Sequence, residues 1–146
     1  MKIAGGLYLC AKAVAFRIDN ITMLTEWIKK LKEASQDRAV LVEGKRDKRA
    51  LTKLGVKNVF TLEGKRFSDL PDLLEGYREV ILLFDLDKHG ERINQKVKTL
   101  LASEGYILIE EFREELRKIG IFYVEDLDGE KLCVERPADT GQDHKV

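Results

Sequence analysis

Five consecutive apolar residues, Val80-Ile81-Leu82-Leu83-Phe84, run without a polar interruption into Asp85-Leu86-Asp87. A run this short and this apolar fits a strand covered on both faces, as in a parallel sheet, better than a helix, which would need about ten residues or more. Acids placed directly after such a strand lie at its carboxyl end, where open α/β sheets form their sites. Gly90 then opens a helix reading through Ser103. A shorter version of the same arrangement comes earlier in the chain. Ala39-Val40-Leu41-Val42 ends in Glu43-Gly44, and Asp47 to Leu54 reads as a helix that stops at Gly55.

The rest of the chain follows this rhythm. From Met23, the residues Leu24, Trp27, Ile28 and Leu31 recur at helical spacing with Lys29, Lys30, Lys32 and Glu33 opposite, which predicts an amphipathic helix. Val56 to Leu62 reads as a strand ending in Glu63-Gly64, Leu70 to Tyr77 as a short helix entered at Pro71, and Tyr106 to Ile109 as a strand. Glu110 to Ile119 is a charged amphipathic helix, and Ile121 to Val124 a further short strand. Trp27, Phe60, Phe84, Phe112, Phe122 and Tyr123 are spaced as packing residues, without the stacking motif of RNA-reading sheets. Alternating strands and helices predict an α/β fold with a mainly parallel sheet of about four strands flanked by helices.

With 146 residues the chain is long enough for one compact domain, placed at 23–127. Residues 1–22 read as a poorly ordered or edge-strand extension, with Met23 as an alternative start, and 128–146 as a polar tail. Lys12 inside Ala11-Lys12-Ala13 argues against a secretory signal, and Leu9 before Cys10 against a lipoprotein. No apolar run is long enough for a membrane helix. The two cysteines, Cys10 and Cys133, fit a reducing cytoplasm, and with His89 and His144 they make a poor zinc set.

Twenty-six basic and 26 acidic residues cancel, so no global field draws the protein to an anionic partner. Such a partner must be held locally, and the basic surplus lies in the first half. From residue 105 onward eleven acids face six basic groups.

Parallel strands bring Glu43, Asp85 and Asp87 to one end of the sheet, where carboxylates repel unless a cation intervenes. Hard oxygen donors select magnesium, with manganese as a substitute. Lys45, Arg46, Lys48, Arg49, Lys65 and Lys88 surround them, placed where phosphate would add charge. Acids after strands are also common as solvated turn residues or helix caps. The Asp85-Leu86-Asp87 spacing, with Leu86 turned back to pack, favours a shared role. His89 reads as an exposed turn residue, and Glu63-Gly64-Lys65-Arg66 as a loop with a basic rim.

Val42-Glu43-Gly44-Lys45-Arg46-Asp47 resembles the Glu-Gly-Lys-Xaa-Asp signature of Toprim domains, and Phe84-Asp85-Leu86-Asp87-Lys88-His89-Gly90-Glu91 is similar to their Asp-Xaa-Asp-Xaa-Xaa-Gly-Glu signature. Order and separation agree, and the resemblance spans about Trp27 to Leu127. It is greatest to the free-standing, primase-like members. Toprim domains occur in type IA topoisomerases, bacterial primases, 5S ribosomal RNA maturation ribonucleases and overcoming-lysogenization-defect nucleases. The resemblance therefore implies magnesium-dependent phosphodiester chemistry on nucleic acid, RNA favoured over DNA, with a protein partner or a second copy as a further associate.

It also implies general acid/base work for Glu43 with a share in metal binding, and metal holding by Asp85 and Asp87. Asp47 matches the end of the first motif, where a carboxylate either caps the helix or supports the ligands from behind. The chain lacks the tyrosine-bearing domains of a topoisomerase, the zinc-binding region of a primase and the RNA-binding extension of the 5S maturation enzymes. Two alternatives stand beside a small nuclease or primase-like protein. One is a non-catalytic nucleic-acid-binding module that keeps the metal cluster. The other is a haloacid dehalogenase-type phosphatase with Asp85 as nucleophile, whose motif wants Thr or Val where His89 stands.

Overall fold

In the computed structural model, residues 2–3, 7–8 and 18–128 are described. Two short strands, β1 (Lys2–Ile3) and β2 (Leu7–Tyr8), pair antiparallel. The body of the fold then runs α1 (Ile18–Ala34), β3 (Ala39–Val42), α2 (Lys45–Lys53), β4 (Val59–Thr61), α3 (Leu70–Leu73), β5 (Glu79–Leu82), α4 (Lys88–Ser103), β6 (Ile107–Ile109) and α5 (Glu111–Ile119). Four strands form one sheet in the order β4-β3-β5-β6, every neighbouring pair parallel. The predicted α/β architecture is present.

Why β3 is apolar throughout, and β5 from Val80 onward, is visible in their alternation. Val40, Val42, Ile81 and Leu83 pack with Trp27, Leu31, Leu51 and Leu116 in one core. Their neighbours Ala39, Leu41, Val80, Leu82 and Phe84 pack with Leu70, Leu74, Val97 and Leu101 in the other. Both faces are covered, so neither strand has a polar side. Val40 lies opposite Ile81 and Leu41 opposite Leu82, which aligns the two carboxyl ends. Leu83 N–H continues the ladder to Leu41 O at 3.0 Å, delivering Asp85 beside Glu43.

Several elements differ from expectation. Helix α1 begins at Ile18, upstream of Met23, because buried Ile21 extends the apolar stripe by a turn. Helix α2 starts at Lys45 and α4 at Lys88, each earlier than the sequence pattern indicates. The predicted helix from Leu70 to Tyr77 is the single turn of α3, preceded by a 3-10 turn at Phe67–Asp69.

The predicted strand Ile121–Val124 is absent. Ile121 and Val124 are buried while Phe122 and Tyr123 are exposed, a spacing that does not suit a sheet edge, and the chain passes into a 3-10 turn at Val124–Leu127. Phe122 and Tyr123 are therefore not packing residues. The expectations for residues 1–22 fall mostly, and those for 128–146 almost wholly, outside the described residues. Among the described residues no helix is long and apolar enough to cross a membrane.

Candidate functional site

Each acidic residue singled out in the sequence sits at a junction between a strand and a helix. Glu43 follows β3, and Gly44 is the residue from which α2 starts. Gly44 N–H donates to Asp47 Oδ2 at 3.3 Å, so Asp47 closes the first turn of α2 as a cap. At the end of β5, Asp85 Oδ1 accepts from Val124 N–H at 2.8 Å. Asp87 caps α4, its Oδ1 accepting from Gly90 N–H at 2.7 Å.

Gly90 is required here by contact. A Cβ at that position would lie 1.9 Å from the carbonyl oxygen of Asp85. The backbone between Asp85 and Gly90 can fold tightly only because residue 90 has no side chain.

Two groups that sequence reasoning missed hold this loop. Arg113, 2% exposed, donates from Nε to Phe84 O and from Nη2 to Asp85 O, each at 2.8 Å, and from Nη1 to Glu91 Oε1 at 3.0 Å. A buried guanidinium thereby satisfies both carbonyls at the point where β5 ends. Leu86 N–H donates to Phe122 O at 2.8 Å, so the segment after α5 clasps the same loop from the other side.

The carboxylates form one electrostatic group. Asp47 is pushed up to about 6, chiefly by burial and then by the charge of Asp85, with Glu43 and Glu125 adding to the rise and the Gly44 N–H opposing it. Asp85 is also raised, first by burial, while the Val124 N–H opposes and the charges of Asp87, Glu43 and Glu125 add. Glu125, in the 3-10 turn after α5, was not anticipated. Glu43 Oε2 lies 2.9 Å from His89 Nε2, in the first turn of α4. The histidine is exposed as expected, yet it touches the acid of the first motif.

An open groove of about 730 Å³ borders this group. Lys45, Arg46, Arg49 and Lys65 line it together with Glu43, Asp47, Glu63 and Glu125. Lys88 is not among its lining residues, and it stands exposed at the start of α4. The second Glu-Gly turn has a local role: Glu63 Oε1 accepts from Lys45 N–H at 3.0 Å, placing a carboxylate at the amino end of α2.

As a donor set, Glu43, Asp85 and Asp87 fit a hard divalent cation in kind, since all offer carboxylate oxygens and the raised acids mark charge that a cation would relieve. Among the described residues, however, no three His, Cys, Asp or Glu side chains are drawn together into a ready metal cage. One oxygen each of Asp85 and Asp87 is taken by a backbone N–H.

Residues 38–116 match the Toprim domain, which covers both motifs and the whole four-stranded sheet. A UPF0292 protein of Thermococcus onnurineus is 34% identical over 120 residues, covering 80% of this chain and 89% of its own. One from Thermococcus kodakarensis is 35% identical over 125 residues, covering 83% and 92%. A solved structure of a protein from Aquifex aeolicus superposes with a TM-score of 0.69 at 57% identity, over 70% of this chain and 96% of that one. The chain belongs to the Toprim-domain family, in the UPF0292 group.

Proposed function

We propose that this protein is a magnesium-dependent nuclease or primase-like enzyme acting on nucleic acid phosphodiesters. The observation that carries the reading is the placing of Glu43 and Asp85 just past the ends of adjacent parallel strands, with Asp47 in the first turn of α2 beside them, next to a groove lined by Lys45, Arg46, Arg49 and Lys65. In this reading Asp85 and Asp87 hold the metal with a share from Glu43, and Asp47 supports them from the α2 cap. When bound, magnesium supplies Lewis-acid stabilisation of phosphate charge.

Glu43 moves the proton. It leaves a different strand from the aspartates, and Gly44 beside it lets a substrate backbone approach closely. The contact with His89 offers it a proton-exchange partner. Lys45, Arg46, Arg49 and Lys65 meet phosphates, and Lys88 extends that field beyond the groove. The functional unit is residues 23–127, with 1–22 and 128–146 accessory to it. RNA is the favoured substrate, in a reducing cytoplasm to which the sparse cysteines are suited. A protein partner or second copy supplies additional binding surface.

One observation favours a second reading, a metal-retaining module that binds nucleic acid without cleaving it: one oxygen each of Asp85 and Asp87 is engaged by a backbone N–H, which gives both acids a structural task. Toprim membership leaves the haloacid dehalogenase alternative without support.

Turnover separates the two. Purified protein is incubated with single- and double-stranded RNA and DNA, with and without magnesium or manganese. Enzymatic function predicts metal-dependent cleavage that Glu43→Gln reduces by roughly two to four orders of magnitude while metal affinity falls much less. Binding without cleavage on every substrate would favour the module. A Glu43→Gln protein that lost metal and activity in parallel, and recovered with excess manganese, would make Glu43 a ligand only.

A further inference from the structure

The large apolar side chains that remain exposed are not scattered. Among the described residues they are Met23, Phe67, Ile107, Phe122 and Tyr123, and the three aromatic ones all adjoin the acidic site. Phe67, 38% exposed, lines the groove that Lys45, Arg49 and Lys65 also line. Phe122 and Tyr123, 49% and 44% exposed, belong to the segment whose backbone is bonded to Leu86 and Asp85. The neighbouring aromatics show what exposure means here: Trp27 and Phe112 meet edge to face at a ring separation of 6.2 Å, as do Phe60 and Tyr77 at 5.6 Å. Among the described residues, no ring meets Phe67, Phe122 or Tyr123 in this way.

An exposed Phe67 ring in a groove lined by cations, with two further exposed rings beside the acidic loop, offers apolar faces on which a planar group can stack. A duplex hides its base faces, so it offers phosphates to the lysines and arginines and nothing to the rings. A single strand offers both. Cationic grooves that track a phosphate backbone, with aromatic rings on which bases stack, are the general solution for single-stranded nucleic acid.

Resting on the nucleic-acid reading above, we propose that the substrate class is single-stranded, its phosphates against Lys45, Arg49 and Lys65, one base stacked on Phe67, and a second platform formed by Phe122 and Tyr123 beside the acidic loop. Phe67 is held for this task by its place in the 3-10 turn at Phe67–Asp69. Arg66 N–H donates to Asp69 Oδ2 at 3.0 Å and fixes that turn next to Lys65.

The test is fluorescence anisotropy on the full chain in EDTA, so that cleavage cannot intervene. Three labelled probes of equal phosphate number are used: a single strand, a blunt hairpin duplex, and an abasic single strand. The variants are Phe67→Ala, Phe67→Tyr and a Phe122→Ala, Tyr123→Ala double, each checked for an unchanged melting transition. Phe67→Leu stands in for the alanine variant if that one fails to fold.

The expected result is single strand bound tighter than duplex or abasic strand. Phe67→Ala or Phe67→Leu should weaken only the single-strand complex by roughly 5- to 150-fold, with the salt slope kept and Phe67→Tyr near wild type. Loss of affinity that is equal for all three probes, or none at all, would overturn the stacking assignment while leaving nucleic-acid binding intact. If wild-type protein bound none of the probes in EDTA or in calcium, the nucleic-acid reading would fall, and stacking with it. Weaker single-strand binding in the Phe122, Tyr123 double variant is expected, and unaltered binding would remove the second platform.

Discussion

Asp47 carries a burden that only a cation or a proton removes. Its carboxyl, lifted from 3.8 to about 6, binds a proton more readily in the folded protein than in the unfolded chain. The stability this proton brings is full below pH 3.8 and is lost as pH rises through about 6, so metal-free protein should weaken between about pH 4 and pH 7, by roughly 2 kcal/mol from this group. Raised Asp85 works in the same direction. Asp47→Asn keeps an acceptor for Gly44 N–H and drops the charge, so at pH 7 its melting temperature should exceed wild type and its pH dependence should flatten. Magnesium should restore wild-type stability more at pH 7.5 than at pH 5. Thermal melts across that range check all three, and a flat wild-type profile would contradict the assignment. Glu43, Asp85 and Asp87 were legible because they sit in the turns that end apolar runs, and Asp47 because it closes a local motif. Glu125 and Arg113 were not, since nothing within a few residues of either marks it: their meaning comes from Asp85 and Phe84, far away along the chain.

At the level of elements, strand ends and helix starts share the same few atoms. Asp87 caps α4, Gly90 admits the carbonyl of Asp85, and Arg113 of α5 holds the carbonyls of Phe84 and Asp85. Gly90→Ala should therefore fold poorly or shift the loop, with a loss of about 3 kcal/mol or more and weakened magnesium affinity. Arg113→Met keeps the apolar stem but leaves two carbonyls and Glu91 without their donor, which should cost about 2–4 kcal/mol in chemical denaturation. Calorimetric titration with magnesium then reports whether the loop has moved, and full metal affinity in destabilised Arg113→Met protein would separate loop geometry from ligand placement. The strands β3, β4, β5 and β6 were readable from uninterrupted apolar runs or Gly boundaries. Ile121 to Val124 was misread because four apolar residues look alike in sequence whether they pair with a strand or press two side chains into a core, as Ile121 and Val124 do.

For the molecule as a whole, the end of the sheet that carries the candidate site is finished by a part of the chain that the Toprim match, ending at residue 116, does not reach. The 3-10 turn at Val124–Leu127 packs on α2, Lys53 pairs with Asp128 at 3.1 Å, and Val124 N–H meets Asp85. Leu127 is 1% exposed and packs in the core with apolar residues of α2 and α5 such as Leu51 and Leu116. Leu127→Ala should lower stability by about 2–5 kcal/mol and also weaken magnesium binding, because undocking this turn frees Asp85 from Val124. Destabilisation with unaltered metal affinity in calorimetry would uncouple the turn from the site. Order of synthesis gives this clasp a further meaning. Translation makes β3 and β5 before residues 122–125, so a nascent chain carries Glu43, Asp85 and Asp87 while the segment that orients Asp85 does not yet exist. During that interval the acids travel on the ribosome, amid the densest RNA in a cell, with their arrangement still incomplete.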